Sequence, residues 1–296
     1  MEPSNIGLGR LHECTFEEAT QLWNDGFEGY FSDMSRNIYQ TIARMGEHHI
    51  QPEHSVVAWS DGRPIGFVLL AVKSVRGETL AWNGGTGIAI DHRGKGIGKQ
   101  MMKEVERIIR DQKIDRAYLE VITDNKSAIG AYRNAGFRIA DQIIGMKRNG
   151  EMSSRAFASD GQALYSLRQG KPWEAASLSF YRRDAAWESQ WHNLKESNSL
   201  IVTDSSDEPV GYALYKDIID EYGRWTSTVL YQCEAAPSHS DAESVFRVLL
   251  SRLYGPANHD RARQTHNLSM ANKTLIDLLV KEGFQTIYEQ YLMVLE

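Results

Sequence analysis

The chain has 296 residues, of which 42% are hydrophobic and 24% are charged, a composition typical of a globular protein long enough for two domains. Its net charge of -6 argues against a general binder of nucleic acid or anionic membrane and suits a cationic substrate. The 2 cysteines form no disulfide framework or metal pattern, and the sequence has no apolar run of membrane-spanning length. We therefore expect a cytoplasmic protein that binds no metal, nucleic acid or membrane.

The first predicted elements are a strand, a helix and a hairpin. The segment IGLGRLHE predicts the strand, and Thr15 with Glu18 forms a capping-box pattern that begins the helix. The region from Trp23 to His54 is predicted to be helical but irregular. Two apolar, β-branched runs around Asp61-Gly62 then predict the hairpin.

The following elements alternate between strands and helices. The segment GGTGIAI predicts a strand that leads directly into DHRGKGIGKQ, after which apolar residues recur on one helical face. RAYLEVIT predicts the next strand, and NKSAIGAYRNAGF predicts a short helix stopped by Gly136. A further strand is predicted from Phe137 to about Met146.

The stretch DHRGKGIGKQ has the properties of a phosphate-binding turn. Amides at a helix N-terminus have no intrahelical partner and lie at the positive end of the helix dipole. Glycines let a ligand approach the backbone, and basic side chains add charge; the residues are Arg93, Gly94, Lys95, Gly96, Gly98 and Lys99. Gln100 excludes a P-loop, whereas a dinucleotide-binding turn and a merely flexible turn stay open at this point.

Two motifs resemble those of the GNAT superfamily of acetyltransferases. Arg93, Gly96 and Gly98 resemble its pyrophosphate-binding motif, and the segment from Asn125 through Tyr132 to Phe137 resembles its second motif. The resemblance covers roughly residues 5 to 147. It implies an α/β (α+β) fold with a mixed, mostly antiparallel twisted sheet, flanking helices and a splayed strand pair.

The resemblance also implies acetyl-CoA as the acyl donor, without a metal. Its pyrophosphate would lie on the amides of the glycine-rich turn, and its pantetheine arm would lie along the end of the preceding strand. The implied contacts are Ile88, Ala89, Ile90, Arg93, Gly94, Lys95, Gly96, Ile97, Gly98, Lys99, Asn125 and Tyr132.

The implied reaction is direct attack of a primary amine on the thioester through a tetrahedral intermediate. The acceptor is unidentified and is either a small molecule or a protein amine. Tyr132 stands at the general-acid position, with a packed aromatic residue as the alternative interpretation. Glu120 is the candidate base, with a solvated carboxylate as the alternative, and an amide near Ala89 is the expected oxyanion donor. Candidate acceptor contacts are Tyr30, Asp33 and Asn83.

The second half of the sequence repeats the first without its phosphate-binding features. Asn125 and Gly136 have counterparts 147 positions later in Asn272 and Gly283, which indicates a duplicated domain. The segment that corresponds to the glycine-rich turn is PSHSDAESVF, which contains no glycine, and Leu279 replaces the counterpart of Tyr132. This half is expected to contribute packing, part of the acceptor pocket or a homodimer surface.

The sequence therefore predicts three segments. Residues 1–148 are a catalytic GNAT N-acetyltransferase domain, residues 149–175 a connecting segment and residues 176–296 a degenerate GNAT-like domain. The alternative functions are a non-catalytic regulator that binds acyl-CoA and an enzyme that binds a dinucleotide.

Overall fold

The computed structural model describes residues 6–153, 155–158, 164–255 and 261–296 and divides the chain into two compact units. The first unit comprises Met1–Ala140 together with Leu292–Glu296, and the second comprises Asp141–Tyr291. Within the described ranges, no helix has the length and apolar character needed to cross a membrane.

The first unit is built on a mixed sheet with four helices. The first four strands pair antiparallel in chain order, and the fifth pairs parallel to the fourth. In the strand order, part of the last strand of the chain follows the fifth. The strands are β1 (Ile6–Arg10), β2 (Val56–Ser60), β3 (Arg63–Val75), β4 (Glu78–Ile88), β5 (Arg116–Ile122) and β13 (Gln285–Leu295). The helices are α1 (Phe16–Gly26), α2 (Ile38–His48), α3 (Ile97–Asp111) and α4 (Lys126–Asn134).

Local sequence signals explain where these elements begin and turn. The Thr15 hydroxyl accepts a hydrogen bond from the Glu18 amide at 3.1 Å, and the Glu18 carboxylate accepts one from the Thr15 amide at 2.8 Å, so the predicted capping box starts α1. Asp61 and Gly62 have φ of 51° and 74°, which suits a tight turn between β2 and β3. The region predicted as irregular helix, Trp23 to His54, contains the last turn of α1, a loop and α2.

The core of the first unit explains the direction of α3. The helix buries one face on the sheet, through Ile97, Met101, Met102, Val105, Ile108 and Ile109. These positions recur at helical spacing, so the predicted amphipathic face is the observed one. Since Ile97 is the first residue of α3, its burial fixes the N-terminus of that helix against the sheet.

The strands of the second unit follow the order β13-β6-β11-β10-β9-β8-β7 in the sheet, and a twelfth strand also pairs with β6. Here too one neighbouring pair, β10 and β11, is parallel. The remaining strands are β6 (Arg138–Arg148), β7 (Ser166–Gly170), β8 (Asn198–Thr203), β9 (Pro209–Ile219), β10 (Trp225–Ala235), β11 (Ala262–Thr265) and β12 (Leu268–Ser269). The helices are α5 (Pro172–Ala176), α6 (Ala242–Tyr254) and α7 (Lys273–Lys281).

The two units share local details that the duplication predicts. Asn125 caps α4 and Asn272 caps α7, each through its side-chain oxygen. The Ala89 amide donates to the Ile65 carbonyl at 2.9 Å, and the Ala236 amide donates to the Val210 carbonyl at 2.8 Å. The predicted fold class is therefore confirmed: in both units the strands form a mixed sheet with flanking helices.

The unit boundary differs from the predicted segments. The second unit begins at Asp141, within β6, rather than after residue 148. The described parts of the predicted connecting segment include β7 and the start of α5, and β7 pairs with β8 of the second unit. Residue 154 and residues 159–163 of that segment lie outside the described residues.

Candidate active site

The turn between β4 and α3 leaves open space above its backbone. Gly94 and Gly96 have φ of 75° and 79°, a left-handed conformation that other residues adopt with strain. A Cβ built on either glycine meets no described atom within 4 Å. Gly96 is the N-cap of α3, and the first turn of that helix, all of it described, carries no acidic residue. Residues 94–99 are called the cradle below.

The cradle offers what a phosphate group needs. The first amides of α3 have no acceptor within the helix, and the helix dipole makes this end positive. The side chains of Lys95 and Lys99 are exposed there. An anionic pyrophosphate fits this geometry, because no Cβ and no carboxylate fills the space in front of the amides.

An opening between β4 and β5 lies directly upstream of the cradle. The parallel ladder joins Leu80 to Arg116 and Trp82 to Tyr118, and within residues 6–153, all described, it ends there. The pairing of β4 with β3 shifts register between Asn83 and Gly85, which indicates a β-bulge. The later halves of β4 and β5 therefore diverge, as the predicted splayed pair requires.

Four polar side chains meet at this opening, and they are called the phenol cluster: Tyr30, Asn83, Thr86 and Tyr132. Tyr132 is buried, and its hydroxyl shares hydrogen bonds with the side chains of Asn83 and Thr86. The Asn83 amide donates to the Thr86 hydroxyl at 2.9 Å. Burial raises the pKa of Tyr132, so the phenol keeps its proton at neutral pH.

Tyr30 completes the phenol cluster from the loop after α1. Burial, and then the charge of a neighbouring Tyr132, raise the pKa of Tyr30 to about 12. Three of the residues proposed from the sequence, Tyr30, Asn83 and Tyr132, thus come together. Sequence analysis missed Thr86, although a hydroxyl in the glycine-rich run NGGTGI is a usable signal.

Glu120 belongs to a different group of side chains. Its carboxylate accepts a hydrogen bond from the Trp82 indole at 2.6 Å. Trp82 and Asn83 are successive on β4, so their side chains point to opposite faces of the sheet. On the Trp82 face, α2 contributes Arg44, 5.4 Å from the Trp82 ring centroid, and His48, whose ring centroid is 5.3 Å from it. Sequence analysis missed this aromatic and cationic surface around Glu120.

Three residues have structural partners that the sequence analysis did not predict. The Ala89 amide is hydrogen-bonded to the Ile65 carbonyl at 2.9 Å, and an oxyanion donor among the amides near Ala89 stays a prediction. The Asn125 side-chain oxygen caps α4 by accepting from the Ala128 amide at 3.1 Å. Asp33 is exposed, and its carboxylate accepts from the amide and the hydroxyl of Ser35, which lowers its pKa.

The strand end next to the cradle is also held by internal hydrogen bonds. The Ile88 carbonyl accepts from the Arg93 guanidinium at 2.8 Å. The Ala89 carbonyl accepts from the His92 amide at 2.8 Å, and the Ile90 carbonyl accepts from the Arg93 amide at 3.3 Å. These bonds fix the course of residues 88–93 before any ligand is considered.

The corresponding helix start in the second unit has the opposite charge. Asp241 is the N-cap of α6, and its carboxylate accepts from the Ser244 amide at 3.0 Å, which lowers its pKa. Glu243 adds a second carboxylate in the first turn. Leu279, the counterpart of Tyr132, is fully buried in the core. This helix start therefore repels an anion.

A glycine-rich cradle thus lies beside diverging parallel strands, with a buried phenol at the opening. Residues 14–137 match the acetyltransferase (GNAT) family. Residues 14–137, less than half of the chain, are therefore similar to the GNAT family of acetyltransferases.

Known proteins resemble both the first unit and the whole chain. The N-alpha-acetyltransferase RimI of Mycobacterium tuberculosis is 31% identical over 83 residues, which are 28% of this chain and 44% of that protein. The chain thus aligns with less than half of that relative's length. A GCN5-related N-acetyltransferase from Sphaerobacter thermophilus has a TM-score of 0.69 at 13% identity and aligns over 100% of this chain and 97% of its own. A tandem GNAT protein from the clavulanic acid biosynthesis pathway has a TM-score of 0.61 at 14% identity, over 98% of both chains.

Proposed function

We propose that the chain is an N-acetyltransferase that transfers an acetyl group from acetyl-CoA to a primary amine of a small molecule or a protein. The observation that carries the proposal is that one strand, β4, serves both parts of the site. Asn83 and Thr86 on β4 hold the Tyr132 phenol, and the same strand then runs into the cradle. The family match and the relative named as an N-alpha-acetyltransferase support the same reaction.

Each part of the first unit has a defined role in this proposal. When bound, acetyl-CoA supplies the acetyl group as a thioester. The amides of the cradle, with Lys95 and Lys99, hold its pyrophosphate. Residues Ile88–Ile90 and Asn125 line the path of its pantetheine arm. No metal takes part.

Two side chains handle protons. The Tyr132 hydroxyl, which is protonated at neutral pH, donates its proton to the leaving sulfur. Glu120 accepts the proton of the attacking amine through water, because its carboxylate lies on the Trp82 face of the sheet rather than beside Asn83. The Trp82 indole, which donates to this carboxylate, orients it. Tyr30 and Asn83 contact the acceptor.

The test combines a binding measurement with an activity screen. Calorimetric titration of acetyl-CoA is expected to give one site per chain, because the helix start at Asp241 repels phosphate. Release of thiol from acetyl-CoA is then followed across a panel of primary amines, and at least one amine is expected to accept the acetyl group. NAD titrated in the same way is expected to give no binding.

Three outcomes contradict parts of the proposal. Tight binding of acetyl-CoA without transfer to any amine of the panel makes the protein a non-catalytic regulator. Binding of NAD in place of acetyl-CoA assigns the cradle to a dinucleotide. Two acetyl-CoA sites per chain show that the second unit is not degenerate.

A further inference from the structure

The side chain of Arg93 makes its hydrogen bonds to protein backbone. Its Nε donates to the Ile88 carbonyl at 2.8 Å, and one Nη donates to the carbonyls of Gly26 at 3.1 Å and Glu28 at 2.8 Å. The planar guanidinium presents several N–H donors in a fixed fork, which allows one arginine to serve three carbonyls. The arginine of the motif therefore joins the end of β4 to the end of α1.

This contact supplies a charge that α1 lacks. Gly26 is the last residue of α1, where the final carbonyls have no partner within the helix and the dipole is negative. The last turn of α1, which is fully described, contains no basic residue. Arg93 provides the cation there from a position more than sixty residues further along the chain.

The backbone held by Arg93 leads to the phenol cluster. The Tyr30 amide donates to the Phe27 carbonyl at 3.0 Å, and their ring centroids lie 5.2 Å apart. Phe27 in turn packs on Trp23, with ring centroids 4.5 Å apart. Glu28, whose carbonyl accepts from Arg93, lies two residues before Tyr30, and the charge of Tyr132 contributes to the raised pKa of Tyr30. Residues 26–30 are called the clamped turn below.

We propose that Arg93 is a positioning residue that holds Tyr30 beside Tyr132 by clamping the end of α1 to the end of β4. It does not act by binding phosphate with its side chain. The proposal rests on the proposed function for the role of Tyr30 in contacting the acceptor, but the clamp itself concerns contacts within the first unit. The Arg93 side chain joins the end of β4, which leads into the cradle, to the clamped turn, which carries Tyr30.

Three variants separate the clamp from phosphate binding. Arg93→Gln removes the charge and the fork. Arg93→Lys keeps a positive charge, which is enough for a phosphate contact, but cannot reach three carbonyls with a planar fork. Lys95→Gln is the matched control, because it removes a positive charge from the same turn without touching the clamp.

The first readouts need no acceptor. Hydrogen exchange at the amides of residues 27–30 is expected to rise at least about tenfold in both Arg93 variants and to stay unchanged in Lys95→Gln. The dissociation constant of CoA, measured by calorimetry, is expected to change by less than about threefold in both Arg93 variants, whereas Lys95→Gln weakens binding in a salt-dependent way. CoA binding weakened by Arg93→Gln and restored by Arg93→Lys, with exchange unchanged, would overturn the proposal.

A double-mutant cycle tests the route through Tyr30. Arg93→Gln and Tyr30→Phe are each expected to lower kcat/KM for the acceptor with little change in KM for acetyl-CoA, and the double variant is expected to be no worse than the poorer single variant. Additive losses in the double variant contradict the coupling. If the amine screen finds no acceptor, the proposed function fails while the exchange and CoA measurements still decide the clamp.

Discussion

Individual residues in this protein owe their chemistry to their neighbours. Tyr132 is one of several tyrosines, and what distinguishes it is burial at a point where two strands diverge, with Asn83 and Thr86 on its hydroxyl. Burial disfavours the phenolate and so keeps the proton in place. The same principle acts on Glu234 in the second unit, where it has a consequence for stability.

The first prediction concerns Tyr132. Tyr132→Phe keeps the ring and removes the proton, so kcat is expected to fall by about 10²–10⁴-fold while acetyl-CoA affinity is kept. Steady-state kinetics with calorimetry measures both. Tyr39→Phe is the control, because Tyr39 is 80% exposed on α2, and its rate is expected to match the wild type. An unchanged rate in Tyr132→Phe, with chemistry rate-limiting, excludes Tyr132 as the acid.

The second prediction concerns Glu234. Burial raises its pKa to about 7, although Arg182 opposes the shift, and Asp184 and Asp141 add to it. The folded state then holds this proton more tightly than the unfolded state, so stability falls as pH rises from about 4.5 to about 7 and is level above that. Glu234→Gln is expected to remove up to about 3 kcal/mol of this pH dependence.

Urea unfolding at pH 5 and pH 8 measures the effect. The difference in free energy of unfolding between Glu234→Gln and the wild type is expected to favour the variant more at pH 8 than at pH 5. The exposed Glu221→Gln serves as the control and is expected to leave the difference between the two pH values unchanged. Equal pH dependence in wild type and Glu234→Gln would show that Glu234 ionises normally.

At the scale of elements, the N-termini of α3 and α6 have the same place in the duplicated fold but differ in how well they suit an anionic ligand. Gly96 begins α3 with open space and no first-turn acid, whereas Asp241 begins α6 by bonding its own backbone. A helix end satisfied by its own carboxylate has little to offer a phosphate. The element is the same, and the N-cap residue together with the charges of the first turn decides its use.

The third prediction compares two glycines. Gly96 and Gly62 both have left-handed φ, 79° and 74°, and a Cβ on either meets no described atom within 4 Å. Gly96→Asp and Gly62→Asp are therefore expected to lose a similar stability of about 1–2 kcal/mol. Only Gly96→Asp is expected to weaken acetyl-CoA binding, by at least about 100-fold, in calorimetric titrations. If the two variants bind acetyl-CoA equally well, its pyrophosphate does not bind at the cradle.

The sequence predicted the elements and the cradle because those signals are local. Thr15 with Glu18, Asp61-Gly62 and the glycine-rich turn each act within a few neighbouring residues. The partners of Arg93 and Tyr30 escaped prediction because they come from segments far apart in the chain. The partner of the Ala89 amide escaped prediction for the same reason, since Ile65 lies on another strand.

At the scale of the whole molecule, the first compact unit is built from two segments that are far apart in the sequence. Leu292, Met293 and Val294 are buried residues of the first unit, although the rest of β13 belongs to the second. Leu295 lies 3.1 Å from a Cβ built on Gly136, and Glu296 pairs with Arg138 at 2.9 Å. The unit that carries the cradle therefore includes residues from both ends of the described chain.

The fourth prediction concerns this strand end. Met293 is fully buried, so Met293→Ala is expected to lower the free energy of unfolding of the first unit by about 2–5 kcal/mol. Thermal unfolding is measured with and without acetyl-CoA, and the transition that the ligand shifts is assigned to the first unit. Glu296→Ala, which removes an exposed ion pair, is expected to cost less than about 1 kcal/mol. Equal effects of the two variants would mean that residues 292–296 are not part of the first unit's core.

The order of synthesis follows from the same strand end. A ribosome makes residues 6–140 first, and domains commonly fold as they emerge. Here Leu292–Glu296 are translated after every residue of the second unit, so the first unit lacks part of its core until then. The cradle segment thus emerges early, but the unit that holds it is complete only after residues 292–296 have been translated.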